Sequence, residues 1–253
     1  MLDRRTVLKG AGALPLAAVL ADPVLAAAVA GSLPEVTITT AGGRQVSAAL
    51  ALPATTPAPA VLLIHEWWGL NDQIKAVAAE LANQGYVALA VDLMGGEVAT
   101  TPDGARALTQ AVKPAEATDT LVSWIGWLKG HEKTTGKVAT MGWCFGGGWS
   151  FNASAATPVD ATVIYYGRVP GDVSAVATVE SPVLGHFATQ DKFIDKPMVT
   201  AFEEAMEKAG KRLTVHWYEA DHAFANPTGA RYDEADAKLA WERTAAFLSE
   251  TLR

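Results

Sequence analysis

Along this chain, short unbroken apolar runs alternate with longer stretches of helical period. Ala60 to Ile64 and Tyr86 to Val91 are almost wholly apolar, as expected of strands buried on both faces. Lys137 to Met141, Ala161 to Tyr165, Val183 to Ala188 and Leu213 to Tyr218 are predicted strands of the same kind. Helical spacing fills the gaps between them. Asp72 to Gln84 places Ile74, Val77 and Leu81 on one face and stops at Gly85. Ala115 to Lys129 carries Leu121, Trp124, Ile125 and Leu128. Phe145 to Ala155 and Asp233 to Leu252 are further predicted helices. Another begins at a cap, Asp195, with Pro197 in its first turn and Val199, Phe202 and Met206 on its apolar face. Upstream, Val36 to Thr39 and Val46 to Leu52 alternate around Ala41-Gly42-Gly43 and predict an antiparallel hairpin, followed by a Pro-rich connector from Thr55 to Pro59. This order predicts an α/β fold: a mostly parallel central sheet with helices on both faces and an antiparallel N-terminal edge. No repeat or interdomain linker interrupts it, so a single domain is expected over residues 32–253. In such sheets ligands bind at the carboxyl ends of the strands.

Composition narrows the function. Half of the 253 residues are apolar, a globular proportion. The formal net charge is −7, and Lys and Arg do not cluster beyond the extreme N-terminus, so nucleic acid is not an expected partner. The single cysteine excludes an intrachain disulfide. Asp3-Arg4-Arg5-Thr6-Val7-Leu8-Lys9 reads as a twin-arginine sequence, followed by the apolar stretch Ala11 to Leu20. Val24-Leu25-Ala26 fits a signal-peptidase site. Residues 1–26 are therefore expected to be a signal peptide, and the protein to be exported to the periplasm. The apolar stretch is short and alanine-rich against the ~20 residues a membrane span needs, so no stable membrane insertion is expected after cleavage. A monomer acting on a small molecule is the expectation.

Three predicted strand ends carry chemistry. Cys144 sits in Gly142-Trp143-Cys144-Phe145-Gly146, directly after the strand ending at Met141. Gly-x-Cys-x-Gly between a strand and a helix is a nucleophile elbow with sulfur in place of the usual serine. A lone cysteine is more often a buried structural residue, so the motif needs partners. Asp191 follows the Val183 to Ala188 strand, and His222 follows the Leu213 to Tyr218 strand. Nucleophile, acid, histidine is the chain order of α/β-hydrolases. The thiol needs a base, and the base needs a carboxylate to fix its tautomer. His65, His131, His186 and His216 are the rival histidines; Asp195, a helix cap, and Asp221, a loop residue, are the rival acids. The loop His65-Glu66-Trp67-Trp68-Gly69 follows the Ala60 to Ile64 strand, where this fold supplies one oxyanion N–H; the residue after the nucleophile supplies the other. Trp67 and Phe145 are thereby nominated. Glu66 can either hydrogen-bond the resting thiol or face solvent, and the residues alone leave both open. No second histidine follows His65 at helical spacing, so neither a metal nor another cofactor is expected. Trp67, Trp68, Trp143 and Trp149 cluster around these positions and suggest an aromatic acyl pocket, with Trp149 better explained as core.

Together these residues resemble the dienelactone hydrolase family over essentially the whole mature chain. The marks are the Gly142–Gly147 elbow, Glu66-Trp67-Trp68-Gly69, Asp92 after Gly85–Val91, Tyr165-Tyr166-Gly167 and His222-Ala223-Phe224. The resemblance implies a Cys144–Asp191–His222 triad that opens an enol-lactone ring through an acyl-thioester. It also implies that Glu66 partners the resting cysteine. Trp68, Trp143, Tyr166, Phe224 and Asn226 would line the substrate pocket. Two departures stand out. Dienelactone-specific members grip the substrate carboxylate with arginines; here Met94-Gly95-Gly96 follows Asp92-Leu93, and Asn226 stands near the second position. Losing a bidentate clamp alters substrate choice more than reaction type. Arg168 and Arg231 are candidates to take it over. Ester or lactone hydrolysis is the leading expectation; a broad exported carboxylesterase and a non-catalytic binding protein on a hydrolase scaffold are the rivals.

Overall fold

The computed structural model describes residues 22–253; the twin-arginine sequence and the apolar stretch after it lie outside the described residues. An eight-stranded sheet is built from β1 (Glu35–Thr39), β2 (Gln45–Ala51), β3 (Ala58–Ile64), β4 (Val87–Val91), β5 (Thr134–Trp143), β6 (Ala161–Tyr165), β7 (Val183–Ala188) and β8 (Leu213–Tyr218). Its spatial order is β1-β2-β4-β3-β5-β6-β7-β8. The β1–β2 and β2–β4 pairs are antiparallel and every other pair is parallel. This is the α/β-hydrolase arrangement expected from the sequence, with β5, which leads to Cys144, near the middle.

The helices are α1 (Pro23–Ala30), α2 (Asp72–Asn83), α3 (Pro102–Ala111), α4 (Pro114–Gly130), α5 (Phe145–Ala156), α6 (Val173–Val176), α7 (Lys196–Lys208) and α8 (Glu234–Leu252). Strand alternation divides β3 between two cores. Val61 and Leu63 face the cluster holding Ile74, Val77 and Leu81 of α2 and Leu248 of α8. Leu62 and Ile64 face Leu121, Trp124, Ile125 and Leu128 of α4. A third cluster, around Phe151, Phe187 and Phe202, seats α7. Both faces of β3 are therefore apolar, and the continuous apolar run from Ala60 to Ile64 is its signature.

Three differences from the sequence reading concern the helices: the single turn α6 was not read, and neither were α1 and α3. α1 packs on α2, with Ala26 and Ala30 buried and Asp22 capping the N–H groups of Val24 and Leu25. The packed unit therefore begins upstream of residue 32. α3, missing from the sequence reading, starts at Thr101, whose hydroxyl accepts from Gly104 N–H, with Pro102 at the first helical position. It buries only Ala105 among its residues, which is why it leaves no apolar stripe to read. Among the described residues no helix is long and apolar enough to cross a membrane.

Candidate active site

β5 delivers Cys144 at its carboxyl end, and α5 begins one residue later. The turn is sharp enough to force Cys144 to φ 52° and ψ −115°, a left-handed conformation that costs a non-glycine residue on the order of 1–3 kcal/mol. Glycine is required on both sides. A Cβ on Gly142 would overlap the carbonyl oxygen of Gly146, and a Cβ on Gly146 would overlap that of Ile64 in β3. The strand, the helix and the neighbouring strand thus touch backbone to backbone, and the thiol is left half-buried at the carboxyl end of a central strand.

The loops after β7 and β8 bring the partners. His222 Nε2 lies 3.2 Å from Cys144 Sγ, and His222 Nδ1 donates to Asp191 Oδ2 at 2.6 Å. The other carboxylate oxygen of Asp191 accepts from the backbone N–H groups of Phe193 (2.7 Å) and Ile194 (3.0 Å), which fixes the acid before the histidine arrives. Burial alone would raise the Asp191 pKa; the bonds from His222, Ile194 and Phe193 overcome it and hold the carboxyl below its ordinary value. Burial opposes a charge on His222 too. The bonds to Asp191 and Cys144, with the charges of both, outweigh it and push the imidazole pKa up to about 10. The three sequence-nominated residues therefore meet in a line of acid, imidazolium and sulfur.

Trp67 and Phe145 both line the cavity over Cys144. Among the described residues neither backbone N–H has a protein acceptor, and Phe145 is the first residue of α5, where a helix leaves its N–H groups free. The bond between Glu66 and the resting thiol that the family resemblance implies is not formed in this structure. Cys144 is bonded to His222, whereas Glu66 Oε2 accepts from Asn226 Nδ2 at 2.7 Å and Oε1 accepts from the Tyr166 hydroxyl at 3.3 Å. Neither carboxyl oxygen is hydrogen-bonded to the thiol here, although each keeps a further acceptor position beside its one donor. Burial raises the Glu66 pKa, against the opposing effects of Asn226, His222, Tyr166 and Arg231.

The cavity encloses about 1030 Å³. Trp68, Tyr166 and Asn226 line it as expected. Trp143 and Phe224 do not: Trp143 is stacked on Tyr165 at 5.5 Å within the core, and Phe224 is buried against Tyr166 and Tyr218. Each falls on the inward side of its neighbour, so proximity in sequence to Cys144 or His222 does not put it in the pocket. Trp149, read as core, does pack against the cluster beneath α4 and also lines the cavity with Phe193 and Ile194. Three arginines are among the lining residues: Arg168 and Arg231, both foreseen as candidates, and Arg106 of the unforeseen α3. The loop at Met94-Gly95-Gly96 is tied down by Asp92, which accepts from the N–H groups of Met94 and Gly96. Among the described residues no group of three or more His, Cys, Asp or Glu side chains is placed to hold a metal ion.

Comparison with known proteins bears on the family and the fold. The sequence model of the dienelactone hydrolase family matches residues 46–252. The carboxymethylenebutenolidase of Pseudomonas putida is 33% identical over 218 residues, covering 82% of this chain and 92% of that protein. Carboxymethylenebutenolidase 1 of Cupriavidus pinatubonensis is 27% identical over 224 residues, covering 85% and 95%. Among solved structures, a Klebsiella pneumoniae protein superposes with a TM-score of 0.77 at 26% identity, over 87% of this chain and 99% of its own. A dienelactone hydrolase-like promiscuous phosphotriesterase from metagenomic libraries has the same fold, with a TM-score of 0.79 at 22% identity over 87% and 99%.

Proposed function

This chain belongs to the dienelactone hydrolase family and is a lactone or ester hydrolase; on that premise we propose that it works by acyl transfer to Cys144. The observation that carries the proposal is the unbroken line from Asp191 through His222 to the sulfur. The Cys144 thiolate attacks the carbonyl carbon, and the carbonyl π pair becomes an oxyanion received by the N–H groups of Trp67 and Phe145. The intermediate collapses, the C–O bond breaks, and His222 gives its proton to the departing alkoxide, leaving a thioester. In a lactone the alkoxide stays tethered as the opened ring. Water then attacks the thioester carbonyl while His222 takes its proton. The carboxylic acid leaves and the Cys144 thiolate is restored with His222 again protonated. Asp191 keeps the imidazole in one tautomer throughout.

The substrate is an apolar-bodied ester or lactone that carries a carboxylate, of the kind named for the Pseudomonas putida relative. Trp67, Trp68 and Trp149 take the body, and Arg106, Arg168 and Arg231 meet the negative end. A broad carboxylesterase is the second reading, favoured by one observation: Asn226 donates its amide to Glu66 and offers no charge to a substrate.

A panel of neutral aryl esters, carboxylate-bearing esters and carboxymethylenebutenolide separates these readings. Wild type should turn over the panel, and Cys144→Ala should lose at least about 10³-fold in kcat. A Cys144→Ala protein with most of its activity would sink the nucleophile. Arg231→Ala should raise KM for the carboxylate-bearing members by about 10-fold and leave neutral esters unchanged; equal effects on both classes favour the broad esterase.

A further inference from the structure

The peptide unit joining Glu66 to Trp67 supplies one of the two N–H groups the acyl-transfer reading needs, and a side chain is bonded to its opposite end. His65 Nδ1 lies 2.6 Å from the Glu66 carbonyl oxygen, and His65 Nε2 lies 3.2 Å from the backbone nitrogen of Leu93, just beyond β4. A carbonyl can only accept and a backbone N–H can only donate. The ring is therefore neutral with its proton on Nδ1, giving one hydrogen bond and taking the other. Burial pushes the His65 pKa down, which keeps it in that form.

In a trans peptide the C=O and N–H point in opposite directions. Fixing the Glu66 oxygen on His65 turns the Trp67 N–H the other way, and among the described residues no protein acceptor takes it. Donation to a carbonyl also polarises its amide and makes the N–H at the far end a better donor. The same ring stacks on Phe145 with centroids 5.9 Å apart and planes 18° apart. Phe145 supplies the second N–H. The backbone oxygen of His65 also presses on Gly146, where a Cβ would overlap it. One buried side chain thus touches both segments from which the oxyanion donors come.

We propose that His65 is a positioning residue that sets the oxyanion pocket, aligning the Trp67 N–H through the Glu66 carbonyl and anchoring that unit to Leu93. The proposal rests on acyl transfer to Cys144. His65 does not touch the substrate; it acts through the peptide it holds.

The test compares two reactions of the same thiol. Ester hydrolysis builds an oxyanion, whereas alkylation by iodoacetamide displaces iodide at a saturated carbon and builds none. His65→Phe keeps a stacked ring and loses both hydrogen bonds; His65→Gln keeps a donor and an acceptor. For His65→Phe, kcat for a neutral aryl ester should fall about 10- to 100-fold, with KM and the alkylation rate of Cys144 within about twofold of wild type. His65→Gln should recover most of the loss. Turnover unchanged in His65→Phe, or turnover and alkylation falling together, would overturn the proposal. Should His65→Phe not fold, His65→Asn, whose amide is too short to span both partners, is read the same way. Retained turnover in Cys144→Ala would instead overturn the nucleophile, a result the His65 variants do not produce.

Discussion

At the scale of single residues, His222 carries the largest consequence. Its pKa rises from an unfolded value of 6.5 to about 10 in the folded protein. Between these values the folded state holds a proton that the unfolded state has released, so stability falls as pH rises. The contribution is complete below pH 6.5 and is lost as pH passes through 10. Chemical denaturation midpoints should therefore decline from pH 6.5 to 10 in wild type and decline less in His222→Gln; parallel curves would contradict the ion pair. Cys144, Asp191 and His222 were legible because each closes a predicted strand and their order is that of the fold. His65 was not. A hydrogen bond from a side chain to the next residue's carbonyl leaves no periodicity, and only the three-dimensional distance to Leu93 reveals it. The partners of Glu66 were hidden for a related reason. Asn226 looked like the site of a missing arginine, and nothing local to it says that its amide reaches a carboxyl on the other side of the cleft.

At the scale of elements, the site depends on how closely β5, α5 and β3 approach. Gly142→Ala should destabilise the protein by on the order of 3 kcal/mol, because the obstacle is the backbone of Gly146 and no side chain can yield. Urea unfolding measures this, and a loss below about 0.5 kcal/mol would mean the elbow can relax. The strands were legible because each is buried on both faces and reads as an apolar run. α3 and α1 were not. α3 shows almost no buried stripe, although Thr101-Pro102 is a readable start. α1 is a run of alanine and valine whose composition suits a signal-peptidase site as well as a helix packed on α2. Both helices matter to what lies around them: Arg106 of α3 reaches the cavity wall, and α1 covers part of α2.

Taken whole, the molecule assembles its chemistry from distant stretches of chain. His222 meets Asp191 across 31 positions and Cys144 across 78, while Asn226 meets Glu66 across 160. Loops of this length close late, and a chain of this size folds through partly ordered species. On dilution from denaturant, far-ultraviolet circular dichroism should recover before ester turnover does; simultaneous recovery would mean that the cleft and the sheet form together. The distance along the chain between Cys144 and His222 has a further consequence for the protein's birth. A nascent chain emerging from the ribosome presents Cys144 well before His222, so the sulfur travels without its base until β8 and the loop beyond it have been added. The contact between sulfur and imidazole is thus a property of the finished chain, and a translation product stopped short of residue 222 lacks it.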